Sequence, residues 1–148
     1  MPRIHLDRLP QLARRLQRFV RKVRKRLPVE QVILHGSAAR GDLTESSDID
    51  LVLIGDFRER WLDRLRRVGE LVPEYLPADV FCYTRQEYND GLKRGNAFLH
   101  EVLKWGRPLT GDEPLELRHR GQDREERYKR MRGVQRAKPI TGRSRVQD

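Results

Sequence analysis

The sequence predicts an α+β domain: helical stripes of apolar residues alternate with short β-branched runs, and 148 residues (17.6 kDa) make one domain of ordinary size. Leu9, Leu12, Leu16, Phe19, Val20, Val23 and Leu27 recur at three- and four-residue steps, which predicts a helix over residues 8 to 27 with one face on a core. Its other face carries Arg14, Arg15, Arg18, Arg21, Lys22, Arg24, Lys25 and Arg26, a solvated surface on the plainer reading and a partner- or anion-binding face on the sharper one. Pro28 stops this helix, and Val29 to His35 reads as a first strand ending at Gly36. Ile49 to Ile54, closed by Gly55 and Asp56, reads as a second. Residues 58 to 72 place Trp61, Leu62, Leu65, Val68, Leu71 and Val72 at helical spacing, with Pro73 and Pro77 bracketing the exit. Ala78 to Tyr83 is the third strand, and Gln86 to Trp105 is one helix, or two with a break near Gly91 to Gly95. Gly106, Pro108 and Gly111 close the patterned region, which sets the domain at residues 1 to 111. Residues 112 to 148 lack apolar periodicity and are dense in arginine, so they read as a basic tail, disordered or at most partly helical. The order and direction of the strands stay open.

Composition narrows the function classes. Hydrophobic residues make up 36% and charged residues 36%, enough apolar content for one core and too little for a membrane protein. The longest apolar runs, such as Leu51 to Ile54, fall far short of the roughly 20 residues that span a bilayer. No apolar signal core follows the basic N-terminus, so the expectation is a cytoplasmic protein with no membrane partner. A single cysteine, Cys82, excludes an internal disulfide, and the scattered His5, His35, His100 and His119 have no zinc-ligand spacing. The net charge of +10 suggests nucleic acid, but its distribution weakens that reading. Residues 1 to 28 hold ten Lys/Arg against one acid and residues 118 to 148 eleven against four, whereas residues 29 to 117 hold eleven against seventeen. Nucleic acid could therefore bind through the basic ends, while chemistry belongs to the acidic middle.

That middle holds two linked features. The first strand runs into Gly36-Ser37-Ala38-Ala39-Arg40-Gly41, a small-residue loop whose backbone N–H groups can approach a phosphate closely. It is neither a P-loop nor a dinucleotide fingerprint, since no Gly-Lys-Ser/Thr follows and the glycine spacing differs. Downstream lies Ser47-Asp48-Ile49-Asp50-Leu51. Aspartates at i and i+2 on a strand project from one face, roughly 7 Å apart at Cα, and can converge on cations. The apolar residues around them argue for burial, where unpaired carboxylates are costly. A third carboxylate, Asp79, stands in the third strand, where aspartate is a poor strand former; beside the second strand it would join Asp48 and Asp50.

Gly36-Ser37, ten intervening residues and Asp48-Ile49-Asp50, with Ala39-Arg40-Gly41 and Ser47 between them and a later strand Asp79, closely resemble the minimal nucleotidyltransferases of the polymerase-β-like superfamily. The resemblance covers about residues 9 to 111 and omits the basic tail. It implies a small mixed sheet of at least three strands flanked by helices. It also implies that Gly36 and Ser37 hold the phosphates of a nucleoside triphosphate, with Arg40 and Ser47 as further nucleotide contacts. Asp48 and Asp50 would bind magnesium, two ions in all, and Asp79 would bind metal and serve as base toward the attacking hydroxyl, with ATP as substrate. His35 is expected to be a strand-end residue, and Cys82 to face away from Asp79. Small stand-alone members of this superfamily resemble the antitoxin half of toxin–antitoxin pairs, in which AMP is placed on a hydroxyl of a helical HEPN-type ribonuclease. The resemblance therefore implies such a partner as acceptor. Two rivals remain: transfer to a small-molecule hydroxyl of the aminoglycoside type, and a non-catalytic module binding RNA or protein.

Overall fold

Pro10 sits in the first turn of helix α1, Leu9–Arg26, where its missing N–H costs nothing, and no further proline or glycine interrupts the helix. Leu12, Ala13, Leu16, Phe19, Val20 and Val23 are buried along one face, and the eight basic residues on the other are exposed. Arg24, Lys25 and Arg26 complement the negative end of the helix dipole. The computed structural model describes residues 3–132. Within them the chain continues as β1 (Val29–His35), α2 (Gly36–Arg40), β2 (Ile49–Gly55), α3 (Trp61–Gly69), β3 (Ala78–Thr84), α4 (Arg85–Lys93), α5 (Ala97–Trp105) and β4 (Arg107–Leu109).

The strands form one mixed sheet in the order β3-β2-β1-β4. β1 pairs antiparallel with β2 and β4, and β2 pairs parallel with β3 through the α3 crossover. Helices cover both faces, which is why β1 and β2 read as continuous apolar runs. Val32, Leu34, Leu51, Leu53 and Cys82 pack with α1 on one side. Ile33, Val52 and Ile54 pack with Tyr88, Leu99 and Val102 of α4 and α5 on the other. No helix among the described residues is long and apolar enough to cross a membrane.

The differences from expectation are local. The helix expected over 58 to 72 is confined to α3; Leu62 is 72% exposed, while Leu71 and Val72 reach the core from the turn that follows. The break in the next helical stretch falls at Arg94 to Asn96, where Gly95 takes φ +80° and the Asn96 side chain accepts from Leu99 N–H to cap α5. The fourth strand has no sequence signature, being three residues long with a proline at its centre. As an edge strand it tolerates Pro108.

Glu87 joins α3 to α4. Its carboxylate accepts from Arg64 Nη1 at 2.6 Å and from Thr84 N–H at 2.7 Å, while Thr84 Oγ1 accepts from Glu87 N–H at 3.0 Å, a capping box at the start of α4. Partial burial pushes the Glu87 carboxyl up, but the bonds from Thr84 and Arg64 outweigh this and hold it below its ordinary value. Arg64 is buried and also donates to Glu59 O. Glu87→Ala is therefore expected to cost about 2–3 kcal/mol, by stranding a buried guanidinium and removing a cap. Urea unfolding would show it. Because the Glu87 carboxyl is held low, its share of stability is present above the ordinary carboxylate pKa and fades on acidification, so the deficit of the variant should shrink toward pH 3. A deficit below about 0.5 kcal/mol at pH 7 would contradict the account.

The residues after 111 do not stand apart from the domain in the way their composition suggests. Leu117 is buried and Leu115 packs against the same core. Arg21 Nη1 donates to Gly111 O at 2.6 Å, and Gln17 donates to Glu113 O. His119 bridges Leu43, with Leu43 N–H donating to Arg118 O and Arg120 N–H to Leu43 O. A helical stretch follows over 122–132. Two leucines in an extended strap leave no periodic signal, so sequence reading passes over the attachment. The remainder of the expected tail, 133–148, lies outside the described residues.

Candidate active site

β1 delivers the chain to His35 and Gly36 at the end of the sheet where β2 and β3 begin. Because β1 and β2 are antiparallel, His35 stands opposite Asp50; because β2 and β3 are parallel and in register, Asp50 stands beside Asp79. Asp50 and Asp79 share the side-chain parity of Val52, Ile54, Phe81 and Tyr83, so both carboxylates emerge on the α5 side of the sheet. Asp48, two residues before Asp50, is exposed, as is Asp79, while Asp50 is half-buried.

The small-residue loop lies against this cluster. Gly36 takes φ +71°, and a Cβ added there would overlap Asp50 Oδ2 and stand 3.3 Å from its Cγ. Glycine is thus required twice, for its backbone angle and for the closeness of the carboxylate. α2 follows at once and ends on Gly41, whose φ of +72° lets its N–H cap Ser37 O. Ser37 is half-buried and Arg40 exposed. Ser47, expected as a nucleotide contact, has its hydroxyl engaged by Thr44, accepting from Thr44 N–H at 2.9 Å and lying 3.0 Å from Thr44 Oγ1. It shapes the turn that presents Asp48.

Electrostatics bind these residues into one unit. The Asp50 carboxyl is pushed up to about 6, first by burial, then by the negative charges of Asp79 and Asp48, against the pull of Arg40. Among the described residues no three His, Cys, Asp or Glu side chains already form a metal cage. Magnesium does not need one, since it keeps several waters and binds through one or two carboxylates together with substrate phosphates. Hard oxygen donors, mutual repulsion at Asp50 and a glycine cradle against its carboxylate fit such an ion: Asp48, Asp50 and Asp79 would hold it.

His35 was expected only to end its strand. Its ring is buried, meets Phe98 edge-on at 5.2 Å, and leaves Nδ1 without a hydrogen-bond partner. Burial lowers its pKa, with Glu101 opposing and Arg40 reinforcing the shift, so the ring is neutral at pH 7 and forms part of the wall behind Asp50. Cys82 lies in the core on the opposite face from Asp79, as its place three residues on implies. Sequence reading missed the basic residues after 118 as neighbours of the site: Arg120 donates from Nε and Nη2 to the Asp42 carboxylate at 2.8 and 3.2 Å, just beyond Arg40. Their only signal is the net charge of the segment, which does not specify a position.

The sheet end gathers a Gly-Ser helix start, two aspartates at i and i+2, and a third from the neighbouring parallel strand, the arrangement that the resemblance to nucleotidyltransferases implies. The nucleotidyltransferase domain family matches residues 16–135, and the chain belongs to that family. The match runs through the strap and the helical stretch that composition assigns to a tail. Over 28 residues, the chain is 57% identical to a Methanocaldococcus jannaschii protein provisionally named a protein adenylyltransferase. That stretch is 19% of this chain and 28% of the relative, so the chain spans little more than a quarter of the relative's length. A solved structure from Sulfolobus solfataricus, provisionally described as a nucleotidyltransferase, is 25% identical over 57% of this chain and 75% of that one, with a TM-score of 0.46.

Proposed function

We propose that the protein transfers AMP from ATP to a hydroxyl group of a partner protein, and that the partner is a helical HEPN-type toxin which the modification neutralises. The observation that carries the nucleotidyl-transfer step is the register of Asp50 with Asp79 on parallel strands, directly against Gly36. The protein-hydroxyl acceptor has the support of the 28-residue likeness to a protein provisionally named a protein adenylyltransferase.

The roles follow from the positions. Backbone N–H groups at Gly36 and Ser37, together with Arg40, hold the phosphate tail and orient the α-phosphate toward the carboxylates. Asp48, Asp50 and Asp79 would hold magnesium, which would supply positive charge to offset the negative charge of the reacting phosphate and of the departing pyrophosphate. Asp79, exposed at the rim, takes the proton of the incoming hydroxyl on a carboxylate oxygen. The half-buried Asp50 lies behind it, nearer the loop. This assignment leaves the open side of the cluster to the acceptor, which supplies its own hydroxyl and surface.

The test is intact-mass measurement of a HEPN-type partner co-expressed with this chain. The partner is expected to gain one or more AMP units, and to gain none when Asp48 is replaced by Asn. An unmodified partner in a stable complex would support the binding module, and label from ATP appearing on an aminoglycoside would support the small-molecule rival.

A further inference from the structure

A cleft of about 770 Å³ opens between the turn after α2 and the helical stretch 122–132. Arg40, Arg120, Arg124 and Arg127 line it, together with Asp42 and Asp123. Its far wall belongs to the segment that sequence composition assigns to a tail, and that wall is firmly attached. Leu117 is buried beneath it, Leu43 and Arg118 to Arg120 exchange backbone hydrogen bonds, and Arg120 grips Asp42 with two nitrogens. The charges differ in state. Arg120 is committed to Asp42 and Arg118 to Glu116, Asp123 and Glu126, whereas Arg124 and Arg127 make no ion pair among the described residues. Three residues apart on one helical stretch, they face the same way.

The geometry points to a phosphate clamp: Arg124 and Arg127 hold the terminal phosphates of the nucleoside triphosphate whose α-phosphate lies at Asp48 and Asp50. This rests on the nucleotidyl-transfer reading and extends it to a part of the chain outside the Gly-Ser and aspartate motifs. Arg40 makes the connection. It closes α2, whose first residue, Gly36, lies against Asp50, and it lines the cleft, so a chain of phosphates that begins at the carboxylates and passes Arg40 continues toward the 122–132 stretch. Two unpaired guanidiniums that face the same cleft favour a polyanion as its occupant. A triphosphate supplies such charge beyond its α-phosphate, which a nucleoside monophosphate lacks. The clamp therefore favours ATP as substrate and holds the pyrophosphate as it departs.

The experiment measures ATP, ADP, AMP and inorganic tripolyphosphate binding, with magnesium, to the full chain and to its Arg124→Gln/Arg127→Gln variant. Both arginines are exposed, so the variant should melt with the parent. The clamp predicts about 10–100-fold weaker ATP and tripolyphosphate binding, a smaller loss for ADP, and a change within about twofold for AMP. Equal losses for AMP and ATP, or none for either, would overturn it. So would a loss confined to a single-stranded oligonucleotide, which would make the cleft a nucleic-acid groove. If the parent binds no nucleotide with magnesium, the nucleotidyl-transfer reading fails; the clamp then stands or falls on tripolyphosphate, which the parent must bind at least about tenfold more tightly than the variant.

Discussion

Replacing Asp50 with Asn is expected to abolish nucleotidyl transfer, by at least about 10³-fold, while making the metal-free protein more stable at neutral pH. The two effects have one cause. Asp50 is half-buried beside Asp79 and near Asp48, and its carboxyl is pushed up to about 6 by burial and then by those two charges. A carboxyl raised in the folded state favours folding of the protonated form. Its contribution is fully present below the unfolded-state pKa of about 3.9 and is lost as pH rises through about 6. Two pKa units correspond to about 3 kcal/mol, which the partial exposure of the site reduces to about 1–2 kcal/mol. Above pH 7 the neutral amide avoids that cost, so the metal-free variant should melt roughly 3–6 °C above the parent. Near pH 4 the two should melt together. Magnesium should raise the melting temperature of the parent and do little for the variant, because the ion removes the repulsion that the amide never had. A variant that melts below the metal-free parent at pH 8 would make Asp50 a structural residue, and residual transfer above about 1% would move the metal site elsewhere.

The elements that carry the site were legible because each has a local cause. β1 coincides with its apolar run because Pro28 and Gly36 bound it. β2 and β3 each extend one residue past the predicted ends, since parallel pairing continues through Gly55 and Thr84. Asp50 on β2 and Asp48 just before it stand out in the sequence because carboxylates beside Ile49, Leu51 and Val52 are costly without a purpose. What was illegible depends on partners distant in the chain. β4 exists only because β1 has an open edge, and three residues with a central proline announce nothing alone. The strap through Leu115 and Leu117 is held by Leu43, more than seventy residues away, and its arginine-rich neighbours mask it as tail. Ser47 was marked by its place beside Asp48, and only the positions of its hydrogen bonds assign its hydroxyl to the turn at Thr44. The solvated reading of the basic face of α1 agrees with its exposure, although Arg21 holds Gly111 and Arg15 stacks on Tyr75 at 4.9 Å.

Gly36→Ala should be nearly as damaging to transfer as losing the carboxylate, about 10²-fold or more, and in contrast to Asp50→Asn it should destabilise the protein. One methyl group acts here in two ways. At φ +71° an alanine is strained by about 1 kcal/mol whatever surrounds it. Its Cβ would also overlap Asp50 Oδ2, so either the carboxylate swings away from Asp79 or the loop lifts from the sheet, for a total of about 2–3 kcal/mol. The contributions can be separated. Gly95 has φ +80° with nothing within 4 Å of an added Cβ, so Gly95→Ala reports the backbone strain alone and should leave transfer unchanged. Asp50→Ala removes the oxygen that Gly36→Ala meets and leaves only Asp50 Cβ, at 3.6 Å, an ordinary contact. In that background Gly36→Ala should cost no more than Gly95→Ala does in the parent, and the difference between backgrounds measures how hard the loop presses on the carboxylate. Equal costs in both backgrounds would show that the loop and Asp50 do not touch. Phosphates held at Gly36 would then not be positioned by the sheet that carries the aspartates, and the site would lose its link between nucleotide and metal.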